Sequence, residues 1–357
     1  MQNPSIVLYG PGSAKLEDKP VPEIVDGHDV IVRIAFVGVC GSDVHFWNHG
    51  GIGKHVDLTA GIVMGHEASG TISSIGPAVT CVSVGDRVAI EPGVPCRFCS
   101  YCRSGSYHLC KDMRFAAAPG PPDTQGTLCK YFKVAEDFVY KVGDEMSLEE
   151  TVLVEPTSVA VHAVKLADVR AGETVVVMGS GTIGLLCAAV ARAFGAYRII
   201  LVDILDTKLE FAKLFLGCET FKPSTTASAE ENASSLRSSL NLSSTCIDTV
   251  IEASGAAASI ETGINVLRPG GKYVQTGMGK PKIEFPIGMI SEKELMVRGC
   301  FRYGAGDYEL AVSLLTRAII NVKPLISSTT RFEEATEAWK KTARGEGIKN
   351  LIRGVDD

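Results

Sequence analysis

Val175-Val176-Val177-Met178-Gly179-Ser180-Gly181-Thr182-Ile183-Gly184 is the stretch from which the fold is read. A run of apolar, β-branched residues too short for a buried helix leads into three glycines spaced G-x-G-x-x-G, and an apolar helical pattern follows from Ile183 to Phe194. In a strand-turn-helix context each glycine has a separate reason. Gly179 makes the turn, Gly181 lets a backbone approach a pyrophosphate, and Gly184 lets the helix pack on the strand, with the helix N-terminus facing the phosphates.

Outward from the turn the same texture continues. Ile199 to Val202, Thr249 to Ile251 and Lys272 to Gln275 read as buried strands, with helices at Thr157 to Leu166, Thr207 to Leu216 and Ala258 to Leu267. The Ser-, Thr- and Asn-rich segment from Lys222 to Ser244 is predicted to carry a surface helix, because Leu236 and Leu240 sit four apart. Asp203 closes the strand after the glycine turn, where a carboxylate accepts hydrogen bonds from a ribose and repels a 2′-phosphate. NAD is therefore expected over NADP, with Lys208 partly softening the preference. A parallel sheet covered on both faces follows.

Toward the front, Ile6 to Tyr9, Val30 to Val39, Ala68 to Ile75 and Arg87 to Glu91 are short β-branched runs punctuated by Gly and Pro, the pattern of an irregular β domain. Within it, Cys40-Gly41-Ser42-Asp43-Val44-His45 and Gly65-His66-Glu67 supply a thiolate, an imidazole and a carboxylate. These suit Zn²⁺, and three protein ligands leave a fourth position open for a reacting oxygen. Asp43 is expected to accept a hydrogen bond from the His66 nitrogen that faces away from the metal. A second set, Cys96-x2-Cys99-x2-Cys102-x7-Cys110, offers four thiolates in a polar segment, the signature of a closed structural zinc site. Cys81, Cys129, Cys187, Cys218, Cys246 and Cys300 read as buried small hydrophobes.

The chain has 357 residues, enough for two domains, with 45% hydrophobic and 21% charged residues and 11 cysteines. A net charge of −6 without basic blocks argues against nucleic acid or an anionic membrane as the main partner. With neither a signal-like N-terminus nor an eighteen-residue apolar run, a cytoplasmic chain is expected, its cysteines serving as metal ligands and buried thiols.

Cys40-Gly-Ser-Asp, Gly65-His66-Glu67, the four-cysteine lobe, Glu155-Pro156, the glycine turn and Asp203 occur in an order that resembles the zinc-dependent medium-chain dehydrogenases. Where alcohol dehydrogenases of that family carry a cysteine, this chain has Glu155. Met113 to Pro119 and Cys300-Phe301-Arg302-Tyr303 are similar to stretches of the polyol branch, above all to fungal xylitol dehydrogenases, and also to sorbitol dehydrogenases.

The resemblance implies an α/β chain: a GroES-like β-rich catalytic domain over residues 1–155, a Rossmann domain of doubly wound parallel sheet over 156–298, and a segment over 299–357 that returns to the catalytic domain. It places the catalytic zinc on Cys40, His66 and Glu67, with Glu155 a further ligand or the holder of a water. It gives Phe46, Phe115, Glu155, Arg302 and Tyr303 to the substrate, Arg302 pairing with Glu155. It gives Gly179, Gly181, Thr182, Ile183, Gly184, Asp203, Lys208, Gly277, Phe301 and Arg302 to the dinucleotide. The expected reaction is NAD-dependent oxidation of a sugar alcohol at zinc, xylitol to D-xylulose with sorbitol also accepted, with Ser42 and His45 relaying the proton. The family implies a homodimer or homotetramer. Other secondary alcohols (L-arabinitol, a butanediol, threonine) and a zinc-stabilised NAD-binding protein without turnover are the rival readings. Ala118 stands where a threonine is frequent and bears on substrate preference. Animal sorbitol dehydrogenases commonly lack the four lobe cysteines that this chain keeps.

Overall fold

A computed structural model describes residues 2–120 and 124–356. Two compact units divide the chain, one formed by Met1–Glu155 with Gly304–Asp357 and the other by Pro156–Tyr303.

In the second unit six strands form one sheet in the spatial order Glu219–Phe221, Arg198–Val202, Thr174–Met178, Thr249–Glu252, Lys272–Gln275, Met296–Gly299, and every pairing is parallel. All five residues of Thr174–Met178 are buried. A strand covered on both faces has no solvent side, which is why its sequence runs apolar without alternation. The helix Thr182–Ala193 carries its buried stripe from Gly184 to Ala191. The Ser-rich segment does hold a helix, Ala229–Ser239, started by Ser228, whose side chain accepts from the Glu231 N–H. Glu219–Phe221 and Met296–Gly299 lie outside the strands read from sequence, because three or four residues at a sheet edge carry too little pattern to register. The unit extends past the expected end at 298, since the Cys300 N–H still donates to the Gln275 carbonyl.

The first unit is built on a seven-stranded sheet in which Asp29–Gly38 is the hub. This strand pairs antiparallel with Glu67–Ile75, Tyr131–Ala135 and Lys349–Arg353, the last supplied by the C-terminal segment. The register sets Gly38 opposite both Glu67 and Leu351. Thus two strands far apart in sequence deliver their residues beside the end of the hub strand. Val30, Val32, Ile34, Val37, Ile72, Val88, Ile90 and Ile352 fill the core, and Trp339 of the helix Ala335–Ala343 is wholly buried in it.

Of the cysteines expected to be buried, Cys129 and Cys187 are; Cys81 is exposed and Cys218, Cys246 and Cys300 are half-buried. Cys81 spends its thiol on the Glu136 carbonyl at 3.2 Å, so polarity rather than packing places it. Among the described residues no helix is long and apolar enough to cross a membrane.

Candidate active site

Strand Asp29–Gly38 ends just before Cys40, which caps the start of the helix Gly41–His49. Asp43 anchors that turn, its Oδ2 accepting the Cys40 N–H at 2.9 Å. This satisfies one of the donors that a helix start leaves open and fixes the cysteine's backbone. His66 and Glu67 arrive at the head of the neighbouring strand. The result is that one ligand atom each from Cys40, His66 and Glu67 lie within 4.8 Å of one another.

The second position of Asp43 differs from expectation. Its Oδ1 is 3.7 Å from His66 Nδ1, beyond hydrogen-bond reach, because the carboxylate is already committed to the helix start. The interaction is electrostatic. Burial opposes charge on His66, yet Asp43, ahead of Cys40 and Glu155, overcomes it and holds the imidazole up at about 10. Burial also raises Asp43 itself, with His66 acting the other way. A nest of buried anions that retains a proton on its histidine is one that calls for a cation, and the soft-and-borderline donor set fits zinc.

Glu155, at the start of the helix Val154–Leu166, is buried. Its charge is felt at His66 and at Lys349. On the same face, Ser42 Oγ is 3.5 Å from His66 Nε2, and the Phe115 ring is 5.7 Å from the His66 ring. His45 is exposed, with Nδ1 3.0 Å from the Gly51 carbonyl and its ring 4.7 Å from that of His49. Since a carbonyl only accepts, that nitrogen carries the hydrogen and Nε2 is left to take a proton. Phe46 is buried in the core cluster.

One residue escaped the sequence reading. Lys349 is as buried as Glu67, and its Nζ donates to both Glu67 oxygens, at 2.9 and 2.7 Å, and to the Val39 carbonyl at 3.1 Å. No local signal could have found it, because 282 residues separate the pair. Gly38 makes the pairing possible: a Cβ there would collide with the Glu67 carboxylate.

The four-thiol lobe is self-contained. Cys96, Cys99, Cys102 and Cys110 bring one sulfur each within 4.8 Å of the others. The Cys99 N–H donates to the Cys96 sulfur and the Cys96 N–H to the Cys110 sulfur, both at 3.4 Å. Backbone donors, Cys99 first, draw the Cys96 thiol down to about 7, whereas burial pushes Cys102 up to about 12. Four convergent sulfurs with no other donor type match a closed tetrahedral zinc site.

In the other unit, Gly179 has φ 99° and a Cβ on Gly184 would run into the Gly179 carbonyl, so both are fixed by the turn and the helix-strand contact. Gly181 differs, for the space beside it is open. Nothing in the packing of the described residues forbids a side chain there. Thr182 and Ile183 continue as the first helical turn. Asp203 accepts the Ser180 N–H at 2.8 Å and the Leu205 N–H at 3.0 Å, tying the strand's end to the glycine turn. Lys208 is in the helix Asp206–Leu216, and Gly277 packs against Gly255 and the Glu252 carboxylate. Arg302 is left-handed at φ 54° with its guanidinium 4.7 Å over the exposed Phe301 ring, and Tyr303 is buried.

Comparison with known proteins agrees with both units. Residues 26–144 match the alcohol dehydrogenase GroES-like domain and 182–317 the zinc-binding dehydrogenase domain. The chain is 52% identical over 355 residues to the D-xylulose reductase A of Aspergillus oryzae, covering 99% of this chain and 98% of that one. Among solved structures, galactitol-1-phosphate dehydrogenase of Escherichia coli superposes with a TM-score of 0.86 at 29% identity, covering 98% of this chain and 99% of that one. L-idonate 5-dehydrogenase of Escherichia coli gives 0.88 at 27%, covering 98% of each.

Proposed function

The chain belongs to the zinc-dependent medium-chain dehydrogenases, and from that premise we propose that it oxidises a sugar alcohol to a ketose with NAD, xylitol to D-xylulose foremost and sorbitol as well. The observation that carries this reading is the trio Cys40, His66 and Glu67 beside the buried carboxylate of Glu155, in a chain that matches a D-xylulose reductase from end to end.

Held by those three side chains, zinc would supply the Lewis acidity that brings a secondary hydroxyl's pKa toward neutrality, and NAD the acceptor for its hydride. The protein's own groups do the rest. In this reading Ser42 takes the hydroxyl proton and passes it to His45, whose Nδ1 is held at the Gly51 carbonyl and whose ring is open to solvent. Glu155 is read as favouring a substrate with hydroxyls on every carbon, because a polyol offers a charged group hydrogen bonds that the tail of a short apolar alcohol cannot, and Arg302 is read as a second such group. Phe115, next to His66, and Phe46, in the core of the same unit, are read as shaping the substrate's surroundings, and Tyr303 is read as a further substrate-side residue. On the nucleotide side, Gly179, Gly181, Gly184 and the turn that begins at Thr182 and Ile183 receive the pyrophosphate, Asp203 the ribose, and Lys208, Gly277, Phe301 and Arg302 the remainder. Cys96, Cys99, Cys102 and Cys110 would hold a second, structural zinc.

Assembly as a homodimer or homotetramer is part of this proposal. It is supported by the edge strand Met296–Gly299, whose Met296 and Val297 are exposed at 51% and 39%. An unpaired edge of this kind is a template for a second copy. A mass measurement in solution that finds only monomer would remove it.

The deciding experiment is a panel of xylitol, sorbitol, L-arabinitol, 2,3-butanediol and threonine with NAD and NADP, read by absorbance of the reduced cofactor. Xylitol with NAD should give the highest kcat/KM. Threonine or butanediol in first place would move the substrate class, and zinc-replete protein inert toward all five would favour the non-catalytic alternative.

A further inference from the structure

We propose that Lys349 is a resident counter-cation of the catalytic cluster, competing with the divalent metal for Glu67 and so lowering the affinity of the Cys40, His66 and Glu67 site. The inference rests on the zinc reading above and extends it.

An ammonium has three protons, and here all three are placed: one on each Glu67 oxygen and one on the Val39 carbonyl. Both side chains are nearly free of solvent, at 3% and 2% exposure. In such surroundings an ion pair is neither screened nor optional, since removing one partner strands the other charge. The position is built by the fold. Gly38, opposite Glu67 on one side and Leu351 on the other, leaves room for the carboxylate to reach across to the strand that carries Lys349.

The sign of the effect follows from charge. The outer partner of a metal ligand is ordinarily a carboxylate or carbonyl, which makes the ligand more electron-rich and the metal more tightly held. A lysine does the reverse, drawing density from the ligand and adding a positive charge near the divalent ion. Without metal, Lys349 balances Glu67 and keeps the three donors converged. With metal, the two cations share one carboxylate.

The test is zinc per chain measured across buffered free-zinc concentrations for the full-length protein and Lys349→Met, with Cys40→Ser marking which binding step belongs to this site. Lys349→Met should fill the Cys40-dependent step at free zinc lower by at least about tenfold, the low end of what outer partners contribute. Its metal-free form should melt below the parent's by a wider margin than its zinc-loaded form does. Lys349→Gln, which keeps a donor for the Val39 carbonyl, is measured alongside in case the methionine does not fold, and the same shift is expected. Affinity unchanged or weakened in the folded variant overturns the proposal while leaving the zinc site standing. Absence of any Cys40-dependent step in the parent overturns the zinc reading itself.

Discussion

The first unit holds two thiol-bearing clusters that differ in how the chain assembles them. Cys96, Cys99, Cys102 and Cys110 close on one another within a single short segment, with backbone N–H groups pointing at two of the sulfurs. Cys40, His66 and Glu67 come from two strand ends, depend on Asp43 to fix a helix start, and are finished by a lysine from the C-terminal strand. On the proposed assignment the first arrangement would spend every ligand on the ion and stabilise a loop; the second would leave a coordination position open, with Ser42 and Phe115 near His66 and the charge of Glu155 felt there. A site made locally is a staple. A site made from distant strands can be shaped for a substrate.

This contrast is open to direct attack. The largest effect is expected from Cys40→Ser, which should lower kcat for xylitol by about a thousandfold, given that a metal centre supplies several kcal/mol of transition-state stabilisation. The circular dichroism spectrum should stay that of the parent, and loss of the folded signal would show that the trio is a staple too. Glu155→Cys should reduce kcat/KM for xylitol by about a hundredfold, a loss of about 2.7 kcal/mol in transition-state binding, with a smaller loss for 2-propanol. Equal losses on both alcohols would separate Glu155 from polyol selection.

The lobe should answer in stability rather than turnover. Cys99→Ser is expected to lower Tm by about 5–10 °C through loss of the structural zinc, with kcat of the folded fraction within about threefold of the parent. A hundredfold fall in kcat at unchanged Tm would erase the division of labour. The smallest effect concerns Glu91, next to the lobe, where burial raises the carboxyl to about 7 against donors from Tyr107 and Tyr140. A folded-state pKa above the unfolded one means that the native protein holds the extra proton. The stability this contributes is fully present below about 4.5 and is lost as pH rises through about 7. The parent should therefore lose a few degrees of Tm relative to Glu91→Gln between pH 5 and 8, and parallel curves would show that Glu91 does not titrate there.

Legibility tracked the distance over which each feature is encoded. The four-cysteine spacing and the glycine turn could be read directly, because ligand reach and turn geometry act over a few residues. Strands buried on both faces announced themselves by composition, whereas the edge strand Met296–Gly299 did not. Around the catalytic cluster, Asp43 was recognised as a partner but assigned the wrong bond. Its commitment to the Cys40 N–H depends on a helix beginning at Gly41, which the motif alone does not reveal.

The sequence by itself determined the residue types that can bind zinc and a dinucleotide, the alternation that demands a parallel sheet, and the spacing that closes the thiol lobe, since these rest on local chemistry and periodicity. Only the tertiary structure decided that Glu67 meets Lys349, that Gly38 clears the way for them, and that Asp43 reaches His66 by charge and not by a hydrogen bond. The first two follow from strand register, which brings Glu67 and Lys349 together across 282 residues and has no signature in any short stretch of chain, and the third from the helix that begins at Gly41 and holds the Asp43 carboxylate.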